Sequence, residues 1–542
     1  LGLIGLIYLR TMPPGLVGIG RGLWDSQETQ AVGLTWGYLH PPGYPLESLL
    51  ANLLAHSLGA LPGVEPGWGV TFLSVVAMVL AAGLVYHIVV RLTGNYVAAL
   101  LAMVVFAFSP GPWHTAITPE VYGLNIALWA LVFWLTLHAA EVPRSGVDFW
   151  LGLAMGLAAG HHRTAFVLVL AAILYLGMHR NWSLAWGQLL LGMCLSAAVY
   201  LYLPLAHVWR SPMTPGDATS LRGFWELVSA RTWSVFFQLP VSAGELVSRL
   251  ETALDALADQ LGLAGSGLGL LGLAWLFSRR PARLDRLMLL GLPIMGLLVF
   301  AIIYQVPDVA TMLGPLILIL CVGLGGLVAG GWNLGANVWR RVFFAGPRSR
   351  SSSLGYRLSA MLLVAVAGGG LLVRNYTLVD ESGDRSGQAV IAELACELSG
   401  TPGETWLTAE SGYAGPLVTY IGQRIGRPLV WANPWGEWDY LGALAEGKRV
   451  FLVNDMPGGW QYPAALKRLV APYRYLLPTG SPDLLELVVE PPYSSVTGQG
   501  HASSPLPLDL DYVELDQPFG SAILLRGYAW RICHSPDGQL LR

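Results

Sequence analysis

The chain of 542 residues is 54 % hydrophobic and only 12 % charged, with 31 basic against 34 acidic residues. Soluble domains carry about a quarter charged residues, so this composition excludes an ordinary soluble globular protein. The near-neutral balance also excludes the basic footprint of a nucleic-acid binder. What remains is a polytopic α-helical membrane protein.

About nine apolar residues precede Arg10, fewer than the roughly 20 of a spanning helix. They are expected to be the end of a first transmembrane helix, because the basic start and cleavage site of a signal peptide are lacking. Further apolar stretches lie near 68–91, 95–109, 120–140, 148–160, 164–178, 183–204, 261–278, 286–303, 309–331 and 357–373, about eleven helices with the first. Arginine-rich short loops belong to the cytoplasm. The loops around Arg91, Arg144, Arg180, Arg279–Arg286 and Arg340–Arg357 all fall on one side of an alternating topology. That leaves 10–47, 109–122, 161–164, 205–260 and 304–309 together on the exoplasmic face.

Residues 1–373 are therefore read as the membrane domain. From 386 to 492 helix-like and strand-like segments alternate, predicting a small parallel α/β domain. No GxGxxG or P-loop opens its helices, so it reads as a structural or partner-binding appendage. A Ser/Pro/Gly-rich linker follows, and residues 508–542 read as the first strands of an incomplete β-domain. Four cysteines lie far apart, without metal-ligand spacing. Cys194 and Cys321 fall in apolar runs and read as small hydrophobes. Cys396 and Cys533 either pair in an oxidising compartment or stay buried unpaired.

Four of these exoplasmic segments carry the candidate residues. In "LWDSQETQ", Asp25 and Glu28 have the spacing of a capping box, an N-cap acceptor with a glutamate at the third helical position. Beside a membrane span, however, ionisable groups are usually functional. "HPPGYP" (40–45) presents His40 and Tyr44 on a turn stiffened by proline, with Pro45 suited to open a helix. Trp113, Glu120 and Tyr122 follow in "SPGPWHTAITPEVY", where Glu120 either serves the site or complements a helix dipole. His161, His162 and Arg163 sit between two apolar runs, a donor cluster suited to a lipid-linked phosphate. Asp308, at the mouth of a later span, either joins the site or caps the next helix. No metal-ligand set emerges, and divalent-metal dependence stays open.

These segments together resemble a membrane-protein family of unknown function related to the protein O-mannosyltransferases of the GT-C superfamily. The resemblance rests on Asp25-Ser26-Gln27-Glu28, His40 to Pro45, Phe108-Ser109-Pro110 with Trp113, Ala116 with Glu120-Val121-Tyr122 and Leu124-Asn125, His162 with Thr164, and Tyr200 to Pro204. It covers roughly residues 8–330. Gln27 replaces the family's usual glycine, and residues 206–207 and 214–217 also depart from its pattern. The resemblance implies a GT-C fold, a polyprenyl-phosphate sugar as donor, no cofactor, and an exoplasmic protein or glycan acceptor. It also implies a bacterial inner-membrane location, with Asp25 as general base and Glu28 as its helper. A transporter or flippase of lipid-linked sugars and a non-catalytic scaffold are the competing readings. Transporters place ionisable groups near the bilayer midplane on repeated, broken helices, and neither trait is visible here.

Overall fold

The computed structural model describes residues 1–541 except 18, 20–23, 143–144, 181–184, 279–282, 307–308, 344–349, 400–402, 410–414, 432–439, 454–474, 479–483, 489–510, 520–522, 531–532 and 535–539. Contacts divide the chain into two compact units. The first comprises Leu1–Met12, Trp36–Leu54 and Gly69–Ser382; the second comprises Pro13–Thr35, Ala55–Trp68 and Gly383–Arg542.

In chain order the helices are α1 (Gly2–Thr11), α2 (Trp24–Thr35), α3 (Pro45–Gly59), α4 (Pro66–Thr93), α5 (Tyr96–Phe108), α6 (Pro110–Ile117), α7 (Val121–Glu141), α8 (Ser145–His161) and α9 (Ala165–His179). They continue as α10 (Trp186–Ser196), α11 (Tyr202–Val208), α12 (Leu221–Ser229), α13 (Ala243–Ser278), α14 (Arg283–Arg286), α15 (Leu292–Ile303), α16 (Val309–Met312), α17 (Gly314–Phe343) and α18 (Arg350–Val379). Each apolar stretch expected to span is helical. Among the described residues six helices are long and apolar enough to cross a membrane, and α5 with α6, bent by 61°, would make a seventh. Shorter apolar helices such as Gly2–Thr11 and Ala165–His179 accompany them. The chain is an integral membrane protein.

Within the first unit, local chemistry sets the helix ends that matter for the site. Asn95 caps α5 by accepting from the Val97 and Ala98 amides at 3.0 Å each. Helices α8 and α10 meet backbone to backbone: a Cβ on Gly152 would lie 2.0 Å from the Leu189 carbonyl oxygen, so only glycine fits. The Tyr8 hydroxyl donates to the Ala107 carbonyl at 2.7 Å and Asn375 Nδ2 to that of Phe108 at 2.8 Å, tying α1 and α18 to the end of α5. Tyr38, Tyr202, Leu203, Ala206, Ala218 and Leu227 form a buried cluster that joins α11 and α12 to the segment before α3.

In the second unit, α19 (Ser386–Glu397), β1 (Thr405–Ala409), α20 (Gly415–Ile425), β2 (Val430–Trp431), α21 (Tyr440–Ala445), β3 (Arg449–Val453), β4 (Tyr475–Pro478) and β5 (Leu484–Val488) build a five-stranded sheet of order β2-β1-β3-β5-β4. β1 runs parallel to β2 and β3, but β5 is antiparallel to β3 and β4. The expected all-parallel sheet is thus mixed. A parallel neighbour needs a crossover of a dozen or more residues, and β4 and β5 are too close in sequence to have one. Arg449 ties α19 to the sheet through Glu397 at 2.8 Å and Glu486 at 2.7 Å. Cys396 is disulfide-bonded, whereas Cys194 and Cys321 are free. An antiparallel pair, β6 (Asp511–Phe519) with β7 (Ile523–Trp530), forms a separate sheet.

Candidate active site

In the first unit the segment 40–45 folds as a tight turn. The Gly43 amide donates to the His40 carbonyl at 2.7 Å, and Gly43 takes φ +91°, a region open chiefly to glycine. Pro45 then opens α3, as its fixed φ and missing N–H favour. Aromatic edges hold the turn: within it the His40 ring lies 5.6 Å from Tyr44, and from outside it Trp233 lies 5.6 Å from His40 and His161 lies 5.8 Å from Tyr44. Trp233 Nε1 also donates to the Pro41 carbonyl at 2.6 Å.

The junction between α8 and α9 carries the histidines. His161 is buried and its Nε2 donates to the Val121 carbonyl at 2.9 Å, which assigns the proton to Nε2. Its Nδ1 has no partner among the described residues. His162 Nδ1 pairs with Thr164 Oγ1 at 2.8 Å, and its ring lies 6.0 Å from the buried Tyr122. Burial, then the neighbouring His161 and Arg163, push the His162 pKa down to about 3. The ring is therefore neutral at physiological pH and offers hydrogen bonds instead of charge.

Arg163, by contrast, is exposed and donates to the Val228 carbonyl at 3.1 Å. With Thr164 it supplies the polar lining of a cavity of about 220 Å³ whose other walls include Val167, Phe237, Leu297 and Phe300. Residues 236–238 and 303–305 close round it as a short antiparallel bridge, with Gln238 N donating to the Ile303 carbonyl at 2.8 Å.

The remaining expected residues have other surroundings. Trp113 is fully buried. Its Nε1 donates to Thr11 Oγ1 at 2.9 Å, and its ring packs among Tyr8, Phe108 and Tyr376. Glu120 is the N-cap of α7, and its side chain makes no cap hydrogen bond. Asp308 lies outside the described residues. Asn125, one turn beyond Val121, is fully buried with neither amide atom partnered among the described residues.

Asp25 and Glu28 belong to the second unit. Helix α2 is already formed at Trp24. Asp25 therefore stands inside its first turn, and the expected N-cap geometry, which needs non-helical φ and ψ, does not arise. Asp25 is exposed and Glu28 buried, with carboxylate oxygens within 4.8 Å of each other. Gln27 between them is fully buried, its amide unpartnered among the described residues.

Sequence reasoning passed over Trp233, Phe237 and Phe300. The first two stand in "RTWSVFFQ", an aromatic run in an otherwise polar loop, which was the available signal. Phe300 is indistinguishable in sequence from other apolar residues of its helix.

Residues 25–186 match the family model described as the N-terminal domain of the protein O-mannosyl-transferase TMEM260. The chain is similar to the protein O-mannosyl-transferase TMEM260 of Mus musculus, with 29 % identity over 255 residues, 45 % of this chain and 35 % of that protein. It is also similar to the Dictyostelium discoideum protein of the same name, with 25 % identity over 290 residues, 49 % of this chain and 35 % of that one. It thus matches about a third of the length of these curated relatives. Among solved structures it resembles ArnT from Cupriavidus metallidurans bound to undecaprenyl phosphate, at a TM-score of 0.57 and 15 % identity over 90 % of this chain and 96 % of that one. The fold is that of the GT-C membrane glycosyltransferases.

Proposed function

We propose that the chain is a membrane glycosyltransferase that moves a sugar, mannose by analogy with its relatives, from a polyprenyl-phosphate donor to a hydroxyl of a protein acceptor, on the exoplasmic side of a bacterial inner membrane. The observation that carries this reading is the apolar cavity with Arg163 and Thr164 as its polar lining: apolar walls suit a prenyl chain, and a guanidinium suits the phosphate that leaves. Two comparisons support it, the family match over 25–186 and the likeness to an enzyme whose structure holds undecaprenyl phosphate. The disulfide at Cys396 supports an oxidising exoplasmic environment for the second unit.

In this reaction the acceptor oxygen forms a bond to the anomeric carbon on the face opposite the phosphate. The carbon–phosphate oxygen bond breaks, and the configuration inverts. Asp25, ionised at neutral pH, takes the acceptor's proton as it attacks. The polyprenyl phosphate leaves as an anion, stabilised by Arg163 and by hydrogen bonds from neutral side chains such as His162. No second, protonated carboxyl is required, unlike in glycoside hydrolysis. Glu28 orients Asp25. With Asp25→Asn, in membranes supplied with a polyprenyl-phosphate sugar and an acceptor peptide, transfer is expected to fall by at least about 100-fold. Transfer at the wild-type rate would remove Asp25 from the mechanism.

A further inference from the structure

The sequence reads the α/β domain as an appendage, yet the helix bearing Asp25 and Glu28 belongs to the same compact unit as that domain. We infer that the α/β domain is a positioning element for the proposed base, acting through a chain of hydrogen bonds from α20 by way of residues 65–67 to α2. The inference rests on the reading of Asp25 given above.

Each link is short. On α20, Arg424 clasps the Glu65 carboxylate with two parallel bonds, Nε to Oε1 and Nη2 to Oε2, both at 2.7 Å. The Tyr420 hydroxyl donates to Glu65 Oε1 at 2.6 Å and accepts from the Gly67 amide at 3.1 Å. Burial and the facing Glu65 raise its pKa well above the ordinary phenol value, so the hydroxyl keeps the proton it donates. The Gly67 carbonyl in turn accepts from Gln30 Nε2, on α2, at 3.1 Å. The same nitrogen donates to the Gly15 carbonyl at 2.9 Å, and Gln30 Oε1 accepts from the Val17 amide at 3.0 Å. Both donors and the acceptor oxygen of the fully buried Gln30 are thus engaged in fixing α2.

Space reinforces the chain. A Cβ on Gly67 would stand 2.6 Å from the Tyr420 hydroxyl and 2.9 Å from Gln30 Nε2, and one on Gly387 would stand 2.4 Å from the Leu16 carbonyl. A forked Arg–carboxylate pair is directional as well as strong. Such a network sets an orientation and not merely a contact, and a general base is effective only when held within hydrogen-bond reach of its proton.

The test uses the full-length chain in membranes, with Arg424→Ala, Tyr420→Phe, the charge-swapped pair Glu65→Arg with Arg424→Glu, and Lys448→Ala as a control in the same domain. Amide hydrogen exchange over residues 24–35 is read alongside kcat and donor KM. Arg424→Ala is expected to speed α2 exchange at least 10-fold and to lower kcat about 10-fold, with donor KM within twofold. Tyr420→Phe does the same more weakly, the swapped pair recovers much of the loss, and Lys448→Ala changes neither readout. Unchanged α2 exchange in Arg424→Ala overturns the inference. So does unchanged kcat in that variant when Asp25→Asn has abolished transfer. If Asp25→Asn transfers at the wild-type rate, the base assignment fails instead, and exchange alone then decides whether the domain holds α2.

Discussion

The turn at residues 40–45 and the helix α2 are both short polar elements carrying proposed site residues, and they are fixed by opposite means. The turn is held by ring edges and by one indole N–H on a carbonyl, with no ion pair among these contacts. α2 is held through a buried amide and a forked ion pair, Arg424 with Glu65. The indole–carbonyl bond tolerates changes of salt, because neither of its partners is charged. A charge network gives direction, at the risk that losing one partner strands the other, a larger penalty than losing a contact.

The largest effect is expected where space and charge combine. Gly67→Val should destabilise the second unit by about 1–3 kcal/mol, seen as faster hydrogen exchange in α2 and α20, because its side chain would displace both Tyr420 and Gln30. Gly383→Ala, with open space around it, should change nothing. If both variants behave alike, the network is not what holds α2.

On the first unit, Arg163→Ala should lower kcat/KM for the donor about 10-fold, the loss of one charge-assisted hydrogen bond to the leaving phosphate. A fall in kcat at constant KM would place Arg163 in the transition state alone. Trp233→Phe keeps a ring edge for His40 but removes the bond to Pro41. It should cost about 1 kcal/mol, measured by thermal unfolding, and this loss should not vary with salt.

The effects in pH carry opposite signs. Burial raises the Glu47 carboxyl from 4.5 to about 8. The fold keeps a proton that the unfolded chain releases, so stability from this group is full below pH 4.5 and lost as pH rises through about 8. His162, lowered from 6.5 to about 3, contributes fully above pH 6.5 and loses that contribution as pH falls through about 3. Glu47→Gln should flatten the alkaline limb of the stability profile, and His162→Gln the acid limb. Exchange of these limbs between the two variants would reverse the assignment.

Much of the helical architecture was legible because hydropathy is a local property. Every apolar stretch named from sequence is helical, and Pro45 opens α3 as its ring dictates. The donor cluster at 161–163 was legible for the same reason, since charged and imidazole groups between two apolar runs stand out. Asp25 shows where local reading stops. Its spacing to Glu28 matches a capping box, yet Asp25 lies inside α2, which is already helical at Trp24. Trp113 shows a second limit: an indole in a motif reads as a ligand contact, but its surroundings include Thr11 and Tyr376, distant in sequence. The sheet shows a third, because alternation of elements does not encode strand direction.

The resemblance of its motifs to a known family pointed to the GT-C fold and to Asp25 as the expected base. Composition and apolar run length were enough to make this a membrane protein, because both are written in consecutive residues. The partners of α2 are not written there. Gln30 meets Gly67, and Glu65 meets Arg424, 359 positions along the chain. Such pairs follow from how separate helices and a sheet pack together, so their coupling became visible only in three dimensions.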